Sequence, residues 1–567
     1  MTETSSKKTG GCWLPAIGAA VLVGGGAAYW ALRPSGGDAL SAAANATALP
    51  DETIAIAHLD PASFDKIAEF GTPAVQAEVR EIFASGLAEI SPDLDWERDL
   101  KPWVGSVTLG LATPIEGSED GEAQAYVAIG IRNKVKAWQF AQGLQAEAGD
   151  EAVKTDYNGT EIIQVSPDEN GSGETLAVVN DRLLVTNSLA TMQNAIDDAS
   201  ASRTASKNPE IQRLLNEAET VAAPILRVYI PDTSAFAEIE TGGDAAAESV
   251  DRTESAAIRS SIATLNVTDS GLHGEVEVQF DADRELPEFA VLSDRAETQF
   301  PAGTLLLLAG NGLGKTWTQF VARAEAADAP PEAVQALGTV REAFASLGLD
   351  ADREVFAWLD GEAAIGAFPV ESGLLQQLGI AAAATVETSD RQAASATLGK
   401  LAKLVNDRVP VPLREDKRQV GEVEVQEWTI PVPGMGSGAL FGYGWRDDRN
   451  LVVGLSSPAI DAVSQPAATS LSNDANFQDV MNELSADKSG YAYLNLAELD
   501  RRLQNIPVGV PNTVSPEVLV ALGAARGLGL TLVSEAPDRL AIEMSLALTR
   551  MADAAEPDAA ESDAAPE

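Results

Sequence analysis

Two hydrophobic periods alternate along this chain. Runs such as "GSVTLGLATP" (105–114), "AYVAIGIRN" (125–133), "TLAVVND" (175–181) and "LLVTNS" (183–188) repeat apolar residues at or near every second position. That spacing predicts strands, and their adjacency through turn-like residues predicts hairpins. Between them, "TPAVQAEVREIFASGLAEI" places Val75, Val79, Ile82, Phe83, Leu87 and Ile90 on one helical face, and "RQAASATLGKLAKLVN" does so with Leu398, Leu401 and Val405. Stripes of this kind are core-facing helix surfaces. Strands in adjacent pairs favour an α+β fold with mainly antiparallel sheets and packed helices over a doubly wound parallel sheet.

The pattern recurs. "LDWERDLKPWVG" and "LDADREVFAWLDG" share Leu94/Leu349, Asp95/Asp350, Arg98/Arg353 and Trp103/Trp358 at one offset. Further on, "NDRLLVTNSLATMQNAIDD" resembles "DDRNLVVGLSSPAIDAVSQ", with Asp181-Arg182 against Asp448-Arg449, and "ILRVYIPDTSAFAEI" resembles "GYAYLNLAELDRRL". A kept order of similar segments predicts two duplicated domains, 50–285 and 295–550, the second carrying loop insertions.

The N-terminus follows a different pattern. "CWLPAIGAAVLVGGGAAYWAL", Cys12 to Leu32, is uncharged, is preceded by Lys7 and Lys8, and has Trp13, Tyr29 and Trp30 at its ends. About 20 apolar residues cross a bilayer as a helix, and aromatic rings favour the headgroup zone. The expectation is a cytoplasmic tail over 1–12 and a single-pass transmembrane anchor over 13–32. The bilayer is then a partner and the bulk of the chain lies outside the cytoplasm. A cleaved signal peptide fits less well, since the run exceeds the usual length and Arg33-Pro34 is a poor cleavage context. Small, polar residues over 33–49 predict a flexible stalk, and the acidic, weakly apolar stretch 551–567 a disordered tail.

Charge narrows the partners. Against 39 Lys and Arg stand 85 Asp and Glu, a formal charge of −46, which repels nucleic-acid phosphates and anionic lipid headgroups, so nucleic acid is excluded as a partner. Cys12 is the single cysteine, which excludes an intramolecular disulfide, a thiolate metal cage and a redox pair. His58 and His273 are the two histidines, far apart in sequence, and support neither a metal site nor a catalytic triad. No metal ligand set, cofactor or catalytic residue is assigned.

One stretch imitates chemistry. "LLLLAGNGLGKTW" contains Ala309, Gly314, Lys315 and Thr316 in the pattern of a phosphate-binding loop after a strand. In such a loop the backbone N–H groups cradle phosphates, Lys315 reaches the terminal phosphate and Thr316 holds magnesium. Asp360, at the end of "VFAWLD", could serve as a second metal partner. The first copy argues against this reading, because "ETIAIAHLDPASFDKIAEF" has the same strand, turn and helix without glycine, lysine or threonine in the loop. Gly310, Gly312 and Gly314 are then expected to shape a turn. "SPDENGSGET" resembles a calcium loop at Asp168, Asn170 and Gly173, but position twelve is Val179 where a bidentate Glu is needed, so a hairpin turn is expected.

The uncharged N-terminal run followed by "LPDETIAIAHLDPASF", "DLKPWVG", "NKVKAW" and "DRLLVTNS" resembles a largely cyanobacterial family of membrane-anchored proteins catalogued only as a domain of unknown function. The resemblance implies an anchored protein facing the periplasm or thylakoid lumen and brings no catalytic residues with it. The function expected is non-enzymatic binding or scaffolding, with an envelope or thylakoid protein as partner. The alternatives are a nucleotide-binding enzyme using the Ala309–Thr316 loop, and an envelope hydrolase using two close carboxylates.

Overall fold

The computed structural model describes residues 41–77, 81, 95–114, 123–140, 152–165, 172–209, 211–212, 224–231, 233, 258–281, 286, 290–293, 295–327, 329, 331–408, 411–432, 436–465, 469–504 and 523–551. The expected tail, anchor and residues 552–567 of the acidic C-terminus lie outside these residues, while Met551, expected in that disordered stretch, donates its N–H to Glu69 O at 2.9 Å. Among the described residues no helix is long and apolar enough to cross a membrane. The fold is α+β, and the chain forms two compact units, Met1–Thr268 with Arg550–Glu567, and Asp269–Thr549.

The first unit holds strands β1 (Thr53–Leu59), β2 (Val104–Ala112), β3 (Gln124–Ile131), β4 (Ala152–Tyr157), β5 (Thr160–Val165), β6 (Ser172–Val179), β7 (Arg182–Ser188), β8 (Pro224–Ile230) and β9 (Ile258–Val267). All pairs are antiparallel, in the order β4–β5–β6–β7–β3–β2–β1–β8–β9. Helix α1 (Leu189–Ser200) is capped by Ser188, whose hydroxyl accepts the Thr191 N–H at 3.1 Å. Its Met192, Ala195 and Ile196 pack on one sheet face with Tyr126, Leu184 and Tyr229. Trp103, Val127, Ile129, Leu176 and Val185 form a core on the other face. Strand β3 is buried throughout, which is why "AYVAIGI" reads as an almost unbroken apolar run.

Residues 42–49, expected in the stalk, belong to this core. Ala42–Asn45 is a helical turn and Ala46–Ala48 a 3-10 turn, with Ala46, Ala48 and Leu49 buried. The small side chains that look like linker are there because the segment lies close against the sheet, with Leu49 packed over Gly110.

The second unit holds β10 (Gly271–Phe280), β11 (Leu306–Asn311), β12 (Glu362–Pro369), β13 (Ile380–Glu387), β14 (Arg414–Val420), β15 (Val423–Val432), β16 (Gly436–Trp445), β17 (Asn450–Gly454), β18 (Gly490–Leu494), β19 (Ala525–Ala536) and β20 (Arg539–Leu548). The antiparallel order is β14–β15–β16–β17–β13–β12–β11–β18–β19–β20–β10. Up to β19 this order pairs strands as the first unit does up to β9. Strand β10, expected at the end of the first repeat, instead falls in the second unit, because it ladders with β20.

The helices of this unit are α2 (Leu313–Ala324), α3 (Pro331–Ser346), α4 (Arg391–Arg408), α5 (Ser457–Ser464), α6 (Ala475–Met481) and α7 (Leu496–Gln504). Helices α5 and α6 cover one sheet face through Ile460, Val463, Phe477 and Val480, packed with Leu307, Phe368, Val452 and Tyr493. Helix α4 turns Ala394 and Leu398 to a separate cluster with Trp358, Val386 and Leu451, as its apolar stripe predicts. Helices α2 and α3 form an insertion held by Trp317 stacked on Phe356, ring centroids 4.2 Å apart, and by Arg341 Nη2 on Asp352 Oδ2 at 2.7 Å.

Both units contain the same wide, π-type turn, at Trp96–Leu100 and Ala351–Val355. Asp95 accepts the Arg98 N–H at 2.8 Å, and Asp350 accepts the Arg353 N–H at 3.0 Å. The residues that repeat in the sequence are those that build this turn; Leu94 lies outside the described residues.

Candidate functional site

The Ala309–Thr316 loop connects β11 to α2. Gly312 has φ 68°, left-handed backbone that glycine adopts without strain. Gly314 lies so close to the 356–359 segment that a Cβ would sit 2.4 Å from the Phe356 carbonyl oxygen. The N–H groups that a phosphate would need are taken: Gly312 donates to Gly361 O at 3.1 Å, Gly314 to Leu359 O at 2.7 Å, and Lys315 and Thr316 to Gly312 O. The Thr316 hydroxyl also turns back to Gly312 O, at 3.4 Å. Asp360 is not at the end of a strand as expected. Phe356–Trp358 is a 3-10 turn, and the Asp360 carboxylate accepts from the Ser389 N–H at 2.9 Å and from the Ser389 hydroxyl. The glycines make a tight strand-to-helix turn against a neighbouring segment.

The other sequence candidates resolve into structure. Asp168 and Asn170 lie outside the described residues; Gly173 stands in β6, which pairs antiparallel with β5. His58 is buried, its Nδ1 2.8 Å from the Thr108 hydroxyl. Burial first, then the Arg227 charge, lowers its pKa to about 4, so the ring is neutral. The amide of Asn45 extends this buried polar cluster, donating to Ser106 Oγ at 3.1 Å and Thr108 Oγ1 at 3.0 Å. His273 lies in the other unit, on β10.

Close carboxylates do occur. Glu275 and Glu543 are cross-strand partners on β10 and β20, hence on one face. Burial, then the charges of Glu543, Glu535 and Glu277, raise the Glu275 pKa to about 7. Glu543 is buried and accepts from the Ser485 N–H at 2.6 Å and from the Ser485 hydroxyl. The pair does not line the cavity between Arg295, Glu362, Glu387 and Arg446, which holds about 20 Å³, room for a single water. Among the described residues no group of three or more His, Cys, Asp or Glu could hold a metal.

The largest chemical feature is one that sequence reasoning missed. Six strands of the second unit, β12–β11–β18–β19–β20–β10, carry three in-register rows on the face opposite α5 and α6. They run Ile365–Leu308–Ala492–Leu530–Met544–Gly274, Ala367–Leu306–Leu494–Leu528–Leu546–Leu272 and Ala363–Gly310–Gly490–Leu532–Ile542–Val276. No position in the three rows bears a polar side chain. Ile542 is 53% exposed, Ile365 52%, Val276 43% and Leu308 42%. An antiparallel sheet with one solvated face ordinarily turns polar residues outward. Here β20 reverses that pattern: Glu543 and Ser545 are buried, while Ile542, Met544 and Leu546 lie on the open side.

The reversal has a packing cause. On β19 the covered face carries Gly527 and Gly529, and a Cβ at Gly529 would sit 2.4 Å from Val480 Cγ1 of α6. Only glycine lets the helix approach this closely, so the large residues of β19 are left to the other side. This contiguous aliphatic face is the candidate interaction surface of the second unit.

Among curated proteins none matches the sequence. Solved structures of TP0453 are similar at low level. Crystal form III is 8% identical, covering 44% of this chain and 89% of that one; crystal form I is 7% identical, covering 42% and 79%. Both have a TM-score of 0.25, too low to carry an argument about the fold. The family model described as "Protein of unknown function (DUF3352)" matches residues 16–548, and the chain belongs to that family.

Proposed function

We propose that this protein is a non-enzymatic binding protein, tethered to a membrane by residues 13–32 with its bulk outside the cytoplasm, and built from two copies of one α+β domain. The open aliphatic face of the second unit carries the binding part of the reading, since water is a poor neighbour for three rows that hold no polar side chain. The tether is supported by the uncharged run between Cys12 and Leu32 and the lysines before it. The duplication is supported by the shared strand order and by the repeated capped turn at Asp95 and Asp350.

Cysteine accessibility tests it. In a Cys12→Ser background the chain has no thiol, so Ile542→Cys reports on the face alone. The expected result is rapid maleimide labelling of the purified, delipidated chain and protection of the same thiol in native membranes. Equal labelling in both settings would sink the reading.

A further inference from the structure

We infer that the open face of the second unit is a bed for the acyl chains of membrane phospholipid. This rests on reading that face as a binding surface and adds what occupies it.

Three observations select hydrocarbon. First, protein interfaces carry about one hydrogen bond per 100–200 Å² within a polar rim. The three rows offer no side-chain donor or acceptor, and their backbone groups are engaged in the ladders of the sheet. Nothing in the rows would set the register of a protein partner, and an acyl chain needs none.

Second, the dimensions fit. Six strands at about 4.8 Å spacing give a face about 24 Å across, and three alternate rows about 13 Å along the strands, less the corner where Ala363 packs into the Trp358 cluster and Leu313 lies over Gly310. One leaflet of a bilayer holds acyl chains about 15 Å deep, half of the hydrocarbon core, so such chains can lie flat across the strands.

Third, charge and reach decide between occupants. A second copy would bring another formal charge of −46 against the same sign, which opposes self-association through this face; the same charge repels anionic headgroups, so the phospholipid that fits is a zwitterionic one. The uncharged run ends at Leu32 and the packed fold begins at Ser41, whose hydroxyl caps the first helical turn. The eight residues 33–40 extend at most about 28 Å, so a bilayer holding 13–32 keeps Ser41 within that distance of lipid and both units tethered to that membrane.

The test is photolabelling of the full chain, reconstituted in palmitoyl-oleoyl phosphatidylcholine vesicles containing a trace of phosphatidylcholine with a diazirine in one acyl chain. Adducts are mapped by mass spectrometry. The inference expects adducts on peptides carrying Leu306–Leu308, Leu528–Leu532 and Ile542–Leu546, reduced about tenfold or more in the Leu530→Gln, Ile542→Gln double variant. The unsubstituted chain decides the matter even if that variant folds poorly.

Adducts confined to 13–32 overturn the inference and leave the tether standing. Adducts on the strands with none on 13–32 sustain it and remove the tether. An unlabelled face whose Ile542→Cys thiol is protected only at high protein concentration assigns the face to a second copy. Protection at every dilution assigns it to a segment of the same chain, such as 505–522. Either of these overturns the acyl-chain occupant. A face that is neither labelled nor protected overturns the binding surface as well.

Discussion

The indole N–H of Trp103 donates to the carbonyl oxygen of Asp99 at 2.7 Å, and Trp358 makes the same bond to Glu354 at 2.8 Å. Each tryptophan is buried and closes the wide turn that leads into β2 in the first unit and β12 in the second. Replacing either by phenylalanine removes the donor and leaves a small void, beside an unpaired carbonyl at Asp99 but at Glu354 beside one that keeps the Thr397 hydroxyl at 2.6 Å. The expected cost is about 2–3 kcal/mol for Trp103→Phe and about 1–2 kcal/mol for Trp358→Phe, whose carbonyl stays paired. Hydrogen exchange read separately on β2 and β12 checks it; a cost confined to one unit would contradict the equivalence of the two turns.

The two units should answer pH in opposite directions. His58 has a folded pKa of about 4 against 6.5, so the folded first unit binds fewer protons than the unfolded chain between those values. Its contribution is complete above pH 6.5 and is lost as pH falls toward 4, by up to about 3 kcal/mol. Glu275 has a folded pKa of about 7 against 4.5, so the folded second unit binds more protons in that window. Its contribution is complete below pH 4.5 and is lost as pH rises toward 7, on the order of 1–2 kcal/mol after screening at a partly exposed site. Exchange protection of β1 and β10 followed from pH 4.5 to 7 should rise in the first and fall in the second. His58→Gln and Glu275→Gln should each flatten the corresponding slope.

On β19 a small change should cost more than a large one. Gly529→Ala places a methyl group 2.4 Å from Val480 Cγ1 and should destabilise the second unit by about 1–3 kcal/mol. Leu530→Gln, the next residue on the open face, should alter stability by about 0.5 kcal/mol or less. Urea denaturation of the two variants decides. The reverse ranking would mean that the leucine face is packed within the folded chain.

Asn45 is fully buried and joins the first helical turn to β2 through Ser106 and Thr108. Asn45→Ala leaves the Ser106 and Thr108 hydroxyls without the amide donor. The expected loss is about 2 kcal/mol from the first unit, measured as a lower urea midpoint with protection lost first on β1 and β2.

What the sequence made legible was local. The hairpin of β6 and β7, the stripe of α4 and the repeated Asp-x-x-Arg turn each depend on residues within about twenty positions of one another, where spacing alone carries the signal. The pairing of β3 with β7 and of β10 with β20 depends on distant segments, and nothing in either strand names its partner. Residues 42–49 look like linker in sequence because alanine is as common in a stalk as in a close-packed turn. The open face was illegible for a different reason. Period two shows that Ile542, Met544 and Leu546 share a side, and the ordinary assumption places that side inward. Only the glycines under α6 reveal that the helix sits on the other one.

The ladder between β10 and β20 also sets a schedule for synthesis. Phe280 leaves the ribosome 259 residues before Arg539, the first residue of its partner strand. At about 5–20 residues per second, that side of β10 waits roughly 13–52 seconds for its hydrogen bonds. Throughout that interval the nascent second unit exposes an unpaired strand edge beside aliphatic side chains that the finished fold also leaves uncovered. Chaperone demand during translation should therefore peak between the emergence of β10 and that of β20, and a chain truncated just before Arg539 should aggregate more readily than one truncated before Gly271.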